Sequence, residues 1–175
     1  MEYRSDGENI RNIAYIGLGS NKGDKLKYLK KAVLKINEVE NDRIVKTSSV
    51  YETRPFGIKE QENFFNAVIK LSTGKNFLEL FDNLKSIEKE IGRKDSVRWG
   101  PREIDLDLLI FNDLIYSDEK VTIPHKGLAD RDFVLTPLCE IEGELVHPAL
   151  NKKICDICVG VSEKFIIRKL SAKIL

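Results

Sequence analysis

The chain has 175 residues, 42% hydrophobic and 33% charged, which is the length of one domain, with apolar material enough for a core and too much for a disordered chain. Its 29 Lys and Arg against 28 Asp and Glu leave a net charge of +1, which argues against coating nucleic acid or an anionic membrane by bulk charge. The longest apolar runs are a few residues, such as Leu108-Leu109-Ile110-Phe111, where spanning a bilayer needs about 20; with a polar start and three cysteines, an odd number, we expect a cytoplasmic protein without a disulfide framework.

Residues 1–11 read as an extension. Residues 13–18 are apolar and form a first strand, stopped by Gly19-Ser20-Asn21. Asp24 can cap the helix that follows, in which Leu26, Leu29, Val33 and Ile36 recur at helical spacing. Residues 44–51 are rich in Val, Thr and Ser and read as one strand; residues 53–57 punctuate it as a loop, and residues 67–71 form another strand. Phe77, Leu80, Phe81, Leu84, Ile87 and Ile91 give one face of a second helix, ended by Gly92. A strand over 103–111 follows a loop over 93–101, and 114–115 and 121–123 read as short strands. Residues 133–141 suit a third helix if Pro137 sits near its start, and 154–161 a short apolar helix. Residues 166–170 are a candidate last strand. The order is β-α-β-β-α-β with further short elements: an α+β, ferredoxin-like sandwich in a single domain over 1–175, with helices on one face of an antiparallel sheet.

The most informative stretch is residues 98–109, RWGPREIDLDLL. On a strand, Ile104, Leu106, Leu108 and Ile110 point into the core, and Glu103, Asp105 and Asp107 point the other way. The two Asp Cα atoms then lie roughly 6–7 Å apart, and their carboxylates repel by about 2–3 kcal/mol at an effective dielectric near 20. A wet edge face tolerates that; so does a cation between them, and Mg²⁺ suits a site with few carboxylates and phosphate oxygens. Arg93, Lys94, Arg98 and Arg102 crowd the same stretch. Each alone is a solvated surface residue; together with a metal pair they are what phosphoryl transfer needs. Trp99 can stack on a flat ring.

Other patterns carry less. Residues 17–24, GLGSNKGD, lack the third glycine of a dinucleotide fingerprint and the Gly-Lys-Ser/Thr of a Walker loop, and read as a tight strand-to-helix turn. Cys155 and Cys158 form C-x-x-C; a zinc site with Cys139 and His147 is conceivable, but buried reduced thiols are the simpler account. His125 suits a phosphate oxygen or a structural role alike, and His147 reads as structural.

These motifs resemble the 6-hydroxymethyl-7,8-dihydropterin pyrophosphokinase family of folate biosynthesis. The resemblance runs over residues 13–148 and is strongest at Arg98-x-Gly100-Pro101-Arg102-x-x-Asp105-Leu106-Asp107-Leu108-Leu109. Tyr15-Ile16-Gly17-Leu18-Gly19-Ser20-Asn21, Ser48-Ser49-x-Tyr51-x-Thr53-x-Pro55-x-Gly57, Phe64-x-Asn66-Ala67, Ile123-Pro124-His125 and Arg131-x-Phe133-Val134-Leu135-x-Pro137-Leu138 support it. It implies transfer of the β,γ-diphosphate of ATP to the pterin hydroxymethyl oxygen, leaving AMP. It also implies two Mg²⁺ ions held by Asp105 and Asp107, bridging the triphosphate and the attacking hydroxyl. By the same resemblance Arg93, Arg98 and Arg102 neutralise phosphate charge, His125 and Arg131 contact ATP, and Glu88, Leu108 and Thr122 line the nucleoside end. Phe64 and Phe133 sandwich the pterin, Asn66 meets its amide edge, and Thr53, Arg54, Pro55, Phe56 and Asp105 complete that pocket. Trp99 serves both ends, and the loops at 54–57 and 93–99 close over substrate.

The chain departs from the pattern at Phe64, where Tyr is common, at Lys126, where Tyr or Pro is usual, and in a loop over 93–98 that is one residue shorter. Residues 1–11 and about the last 20 have no counterpart. Three readings compete: a pterin- or nucleotide-binding module without turnover, a ferredoxin-like nucleic-acid binder, and a γ-phosphoryl kinase that makes ADP. We expect small-molecule substrates, no nucleic-acid or membrane partner, and a monomer.

Overall fold

The computed structural model describes residues 11–97 and 99–175; residues 1–10 and Arg98 lie outside them. The apolar run near the N-terminus becomes β1 (Asn12–Ser20) at the centre of the sheet. It pairs antiparallel with β4 (Phe64–Thr73) on one side and with β5 (Asp105–Phe111) on the other. β3 (Tyr51–Thr53) lies beside β4, and β10 (Ile166–Lys169) is the edge strand beyond it, giving the order β10-β3-β4-β1-β5. β2 (Asp42–Thr47) pairs with the far half of β4.

α1 (Lys25–Asn37) starts where the Asp24 side chain accepts from the Lys27 N–H, satisfying a donor the helix itself cannot. α2 (Phe77–Ile91) starts at an Asn76–Glu79 capping box and ends at Gly92, whose φ of +106° suits glycine. Both helices bury their apolar stripes on one face of the sheet: Leu29, Val33 and Ile36 of α1 and Leu80, Leu84 and Ile87 of α2 meet Ile16, Ile69 and Leu106. α3 (Asp132–Ile141) and α4 (Ile154–Gly160) cover the opposite face with Tyr15, Val68 and Leu109. The sheet is therefore covered on both faces, not one, because alternate residues of β1, β4 and β5 are apolar on each side.

Several expected elements differ. Residues 44–51 are not one strand. Thr47 pairs with Ile69 and Tyr51 with Asn66, so four steps along the chain span three on β4. Ser48 fills the break: its N–H donates to the Val68 carbonyl and its hydroxyl accepts from the Val68 N–H, a side chain competing for a ladder position. Residues 114–115 form no strand. Leu114 N–H closes a turn on the Phe111 carbonyl, and the pair is β6 (Tyr116–Ser117) with β7 (Thr122–Ile123). Pro137 lies well inside α3, where burial of Leu135, Leu138 and Ile141 holds the helix despite one missing backbone bond. A small hairpin, β8 (Val146–His147) with β9 (Lys152–Lys153), turns where His147 Nδ1 accepts from the Ala149 and Leu150 N–H groups.

The cysteines are not all reduced. Packing of α3 on α4 joins Cys139 to Cys155 in a disulfide, with Cα atoms 5.3 Å apart, and leaves Cys158 free. That pairing also removes the zinc reading, since two ligands are bonded to each other and the His147 Nδ1 is occupied.

Candidate active site

Three strands end together. Gly19 of β1 pairs with Asn66 of β4 and with Asp105 of β5, and Gly17 pairs with Val68 and Asp107. Directly paired residues share a face, so the glycines lie between the carboxylates and Asn66 and leave that floor open. A Cβ on Gly19 would sit 3.0 Å from Asn66 Oδ1, tighter than contact allows without displacement. Leu106 and Leu108 face the α1–α2 core, as alternation demands. Ile110 does not: Ile16 pairs with Leu108 but Tyr15 pairs with Ile110, so Leu109 is a bulge and Ile110 joins the opposite core.

Three connected hollows open over this floor. The first is a narrow slot of about 90 Å³ among Gly19, Thr53, Phe64, Asn66, Phe133 and Asp107. The second, about 420 Å³, is lined by Arg93, Lys94, Trp99, Arg102, His125 and both carboxylates. The third, about 280 Å³, lies between Phe81, Leu108, Thr122, His125 and Lys126. Asp107 lines all three, and Lys85 lines the second and third.

The carboxylates are not equivalent. Arg93 Nη1 reaches Asp105 Oδ1 at 2.6 Å and Arg102 Nη1 reaches Asp105 Oδ2 at 2.6 Å. Burial pushes the Asp105 carboxyl up, but Arg102 and Arg93 outweigh it and hold it below its usual range. Asp107 has no ion pair among the described residues; burial and then the Asp105 charge push its carboxyl up, against His125 and Lys85. Glu103, expected on the same face, is buried apart from the hollows, bound by Lys22 at 2.7 Å and by the Lys94 N–H at 3.2 Å.

Glu88 lines none of the hollows. It is 3% exposed beneath β5, where its Oε1 accepts from the Leu106 N–H at 2.6 Å, Lys85 Nζ at 2.8 Å and Arg93 Nη1 at 2.7 Å. It holds two cations and the strand that carries the aspartates. Asn21 is a second anchor. Its Oδ1 accepts from the Arg102 N–H at 2.9 Å, and its amide donates to Gln61 Oε1 and the Glu62 carbonyl. Gln61 donates in turn to the Trp99 carbonyl at 2.9 Å. Trp99 has a φ of +62°, a left-handed conformation that is costly away from glycine, and its ring is T-shaped to that of Phe56, with centroids 6.2 Å apart.

At the slot, Asn66 Nδ2 donates to Thr53 Oγ1 at 2.8 Å, which fixes the amide and leaves its oxygen toward the floor. The Arg131 guanidinium lies over Phe56 at 4.7 Å and over Phe133 at 5.9 Å. His125 is anchored by its N–H on the Leu109 carbonyl, and burial lowers its affinity for a proton. Arg54 borders the slot, but its side chain donates to the Lys164 carbonyl and its N–H to the Phe165 carbonyl. Pro55 is not among the residues that line the slot. The structure thus gathers Thr53, Phe56, Phe64, Asn66, Phe133, Trp99, Arg93, Arg102, Asp105, Asp107, His125, Arg131, Leu108 and Thr122 around one continuous space. Lys85 was not read as a site residue in the sequence; its place three residues before Glu88, one turn away on the same helix, was the available signal.

A carboxylate pair ringed by cations, joined to an aromatic slot with a fixed amide, is specific enough to compare. The sequence profile of 7,8-dihydro-6-hydroxymethylpterin-pyrophosphokinase matches residues 15–143. The 2-amino-4-hydroxy-6-hydroxymethyldihydropteridine pyrophosphokinase of Aquifex aeolicus is 43% identical over 140 residues, 80% of this chain and 86% of that protein. The Bacillus subtilis protein of the same name is 44% identical over 132 residues, 75% of this chain and 79% of that one. Among solved structures, a Plasmodium falciparum HPPK-DHPS has a TM-score of 0.71 at 17% identity, covering 91% of this chain. This chain spans 47% of that longer one, and at that identity the likeness speaks for the fold alone. With the match of most of its length to that profile and these relatives, the chain belongs to the 7,8-dihydro-6-hydroxymethylpterin-pyrophosphokinase family.

Proposed function

We propose that this chain transfers the β,γ-diphosphate of ATP to the hydroxymethyl oxygen of 6-hydroxymethyl-7,8-dihydropterin, releasing AMP, as a step of folate biosynthesis. The observation that carries the reading is the continuity of the aromatic slot with the carboxylate-lined, cationic hollow: Asp107 borders both.

The slot takes the pterin. Phe64 and Phe133 flank a flat ring, and the Asn66 amide, oriented by Thr53, meets its amide edge. The hydroxymethyl group then points toward Asp105 and Asp107. The second hollow takes the triphosphate, with Arg93, Arg102, Arg131 and Lys85 around it; by the sequence resemblance Arg98, outside the described residues, is assigned to the phosphates as well. The third takes the nucleoside between Leu108 and Thr122. The pterin oxygen attacks the β-phosphorus, the bond from that phosphorus to the α–β bridging oxygen breaks, AMP leaves with that oxygen, and the hydroxyl proton is released. Arg102 and Arg93 spread the charge that develops on the transferred group. Holding both substrates in adjoining hollows turns the encounter into an intramolecular one.

The donor set fits divalent cations. Asp105 and Asp107 project from alternate positions of β5 into the same space, and Asp107, its carboxyl pushed up by burial and by the Asp105 charge, makes no ion pair among the described residues. We assign two Mg²⁺ ions to these carboxylates; when bound, they supply charge neutralisation and Lewis-acid polarisation of phosphoryl oxygens. No helix among the described residues is long and apolar enough to cross a membrane; we take the chain to act in the cytoplasm as a monomer.

The test is to incubate the protein with ATP and Mg²⁺, with and without the pterin alcohol, and to separate the nucleotides. AMP formed only with the pterin is the expected result. ADP would make the chain a γ-phosphoryl kinase, and bound ATP without turnover would make it a binding module.

A further inference from the structure

The family match ends at residue 143, yet a segment well beyond it packs against two rings that line the slot. Phe165, just before β10, is 7% exposed. Its ring lies 5.5 Å from that of Phe56 and 5.7 Å from that of Phe133, the latter edge to face. Phe56 and Phe133 both line the slot, one from the loop after β3 and one from the first turn of α3, and their own rings are 6.3 Å apart. Phe165 packs against both.

The backbone repeats the arrangement. The Phe165 carbonyl accepts from the Arg54 N–H at 2.9 Å. The Phe165 N–H donates to Asp132 Oδ2 at 2.9 Å, and the Ile166 N–H donates to the same oxygen at 3.2 Å. Asp132 is 2% exposed and lies between Arg131 and Phe133. Burial of a carboxylate needs compensating donors, and these two amides supply them for Oδ2, while Oδ1 is buried without a hydrogen-bond partner among the described residues. β10 also pairs with β3 through Ile166 and Thr53, so the strand ties down the residue whose hydroxyl orients Asn66.

We propose that Phe165 and the strand it begins are positioning elements of the pterin site: they fix the spacing between the Phe56 loop and Phe133 at the N-terminus of α3. Phe165 does not line the slot and touches no substrate; it acts through the two rings. This rests on the assignment of the slot to the pterin. A loosened wall lets the first turn of α3 and the 54–57 loop drift, and the slot loses its fit to a flat ring. The triphosphate hollow is held mainly by Glu88, Asn21, Arg93 and Arg102, away from Phe165; Arg131, stacked on Phe56 and Phe133, is the residue the two regions share, so ATP binding changes far less than pterin binding.

The experiment compares Phe165→Leu, Phe165→Ala and Phe165→Tyr with Phe133→Ala in the full chain. It measures binding of the pterin alcohol and, separately, of a non-hydrolysable ATP analogue with Mg²⁺, together with KM for each substrate, kcat and the melting temperature. Aromatic pairs are individually modest, so Phe165→Ala should weaken pterin binding and raise its KM about tenfold. Phe165→Leu, which keeps most of the volume and folds readily, should shift both in the same direction by less, and the ring of Phe165→Tyr should restore them. The ATP analogue should bind within about twofold of the unaltered chain in all three. Phe133→Ala weakening pterin binding while Phe165→Leu and Phe165→Ala leave it unchanged would overturn the role of Phe165 alone. No effect of Phe133→Ala would overturn the slot assignment and this inference with it. Equal losses for both ligands would mark Phe165 as a general stability residue and overturn the positioning role.

Discussion

The slot and the triphosphate hollow share one floor but are built by different physics. In the slot the walls are set in advance: the Asn66 amide is oriented by Thr53, and the rings of Phe56, Phe133 and Phe165 pack together. In the hollow the charges are paired provisionally. Both oxygens of Asp105 are held by arginines, and Asp107 has no ion-pair contact among the described residues, with His125, Lys85 and Arg131 acting on it only from a distance. A flat, uncharged ring is recognised by a cavity made in advance, where shape does the selecting. A triphosphate with its cations is recognised by exchange of ion pairs, where the new partners must replace those already present. The slot should therefore respond to changes of volume and the hollow to changes of charge.

The largest test of that contrast is Asp107→Ala. Turnover should fall by several orders of magnitude, as should that of the unaltered protein with a chelator, because both leave the phosphoryl charge without its divalent partner. Pterin binding without nucleotide should change little. Removing one of two neighbouring, half-buried carboxylates relieves repulsion, so the melting temperature without metal should hold or rise; a sharp fall would show that Asp107 is a structural group.

Arg102→Ala comes next. The loss in kcat should reach about 10³-fold or more, in the range of phosphoryl-stabilising arginines, with pterin affinity retained; unchanged kinetics would remove Arg102 from the site. Asn66→Ala should act on the other side of the contrast. It strands the Thr53 hydroxyl and removes the amide partner of the pterin, so pterin affinity should fall by about 10- to 100-fold with ATP affinity unchanged. Raising ionic strength should weaken ATP binding several-fold more than pterin binding, since exposed charges are screened and ring packing is not. Parallel weakening would contradict the division.

The smallest expected effect concerns the far side of the sheet. Lys70 holds the Glu142 carboxyl below its usual value near 4.5. A depressed carboxyl contributes stability that is present above the unfolded value and is lost as pH falls through the folded one. Glu142→Gln should thus lower stability at pH 7 by under about 1 kcal/mol, and the difference from the unaltered chain should shrink below pH 4.5. Turnover at neutral pH should not change.

How much of this was legible in the sequence follows the range of the interaction. The Asp105 and Asp107 alternation, the Asp24 cap and the Gly92 stop are local patterns, and the structure carries all three. The break at Ser48 depends on where β4 lies, and the bulge at Leu109 depends on register with β1. The Cys139–Cys155 disulfide depends on how α4 docks on α3, and spacing along the chain does not encode that. At the site, the resemblance supplied most of the residues around the three hollows, and geometry sorted them. Glu88 lies beneath the floor, Arg54 turns toward the C-terminal segment, and Lys85 and Phe165 enter because they are near in space, not in sequence.

The most direct test of the account is a single reaction of equimolar ATP and pterin alcohol, with Mg²⁺, followed by phosphorus NMR for the unaltered chain and for Asp107→Ala. The account predicts a pterin diphosphate and AMP growing in equal amounts with the unaltered chain, and neither with the variant. ADP beside a pterin monophosphate, or undiminished product from Asp107→Ala, would contradict it.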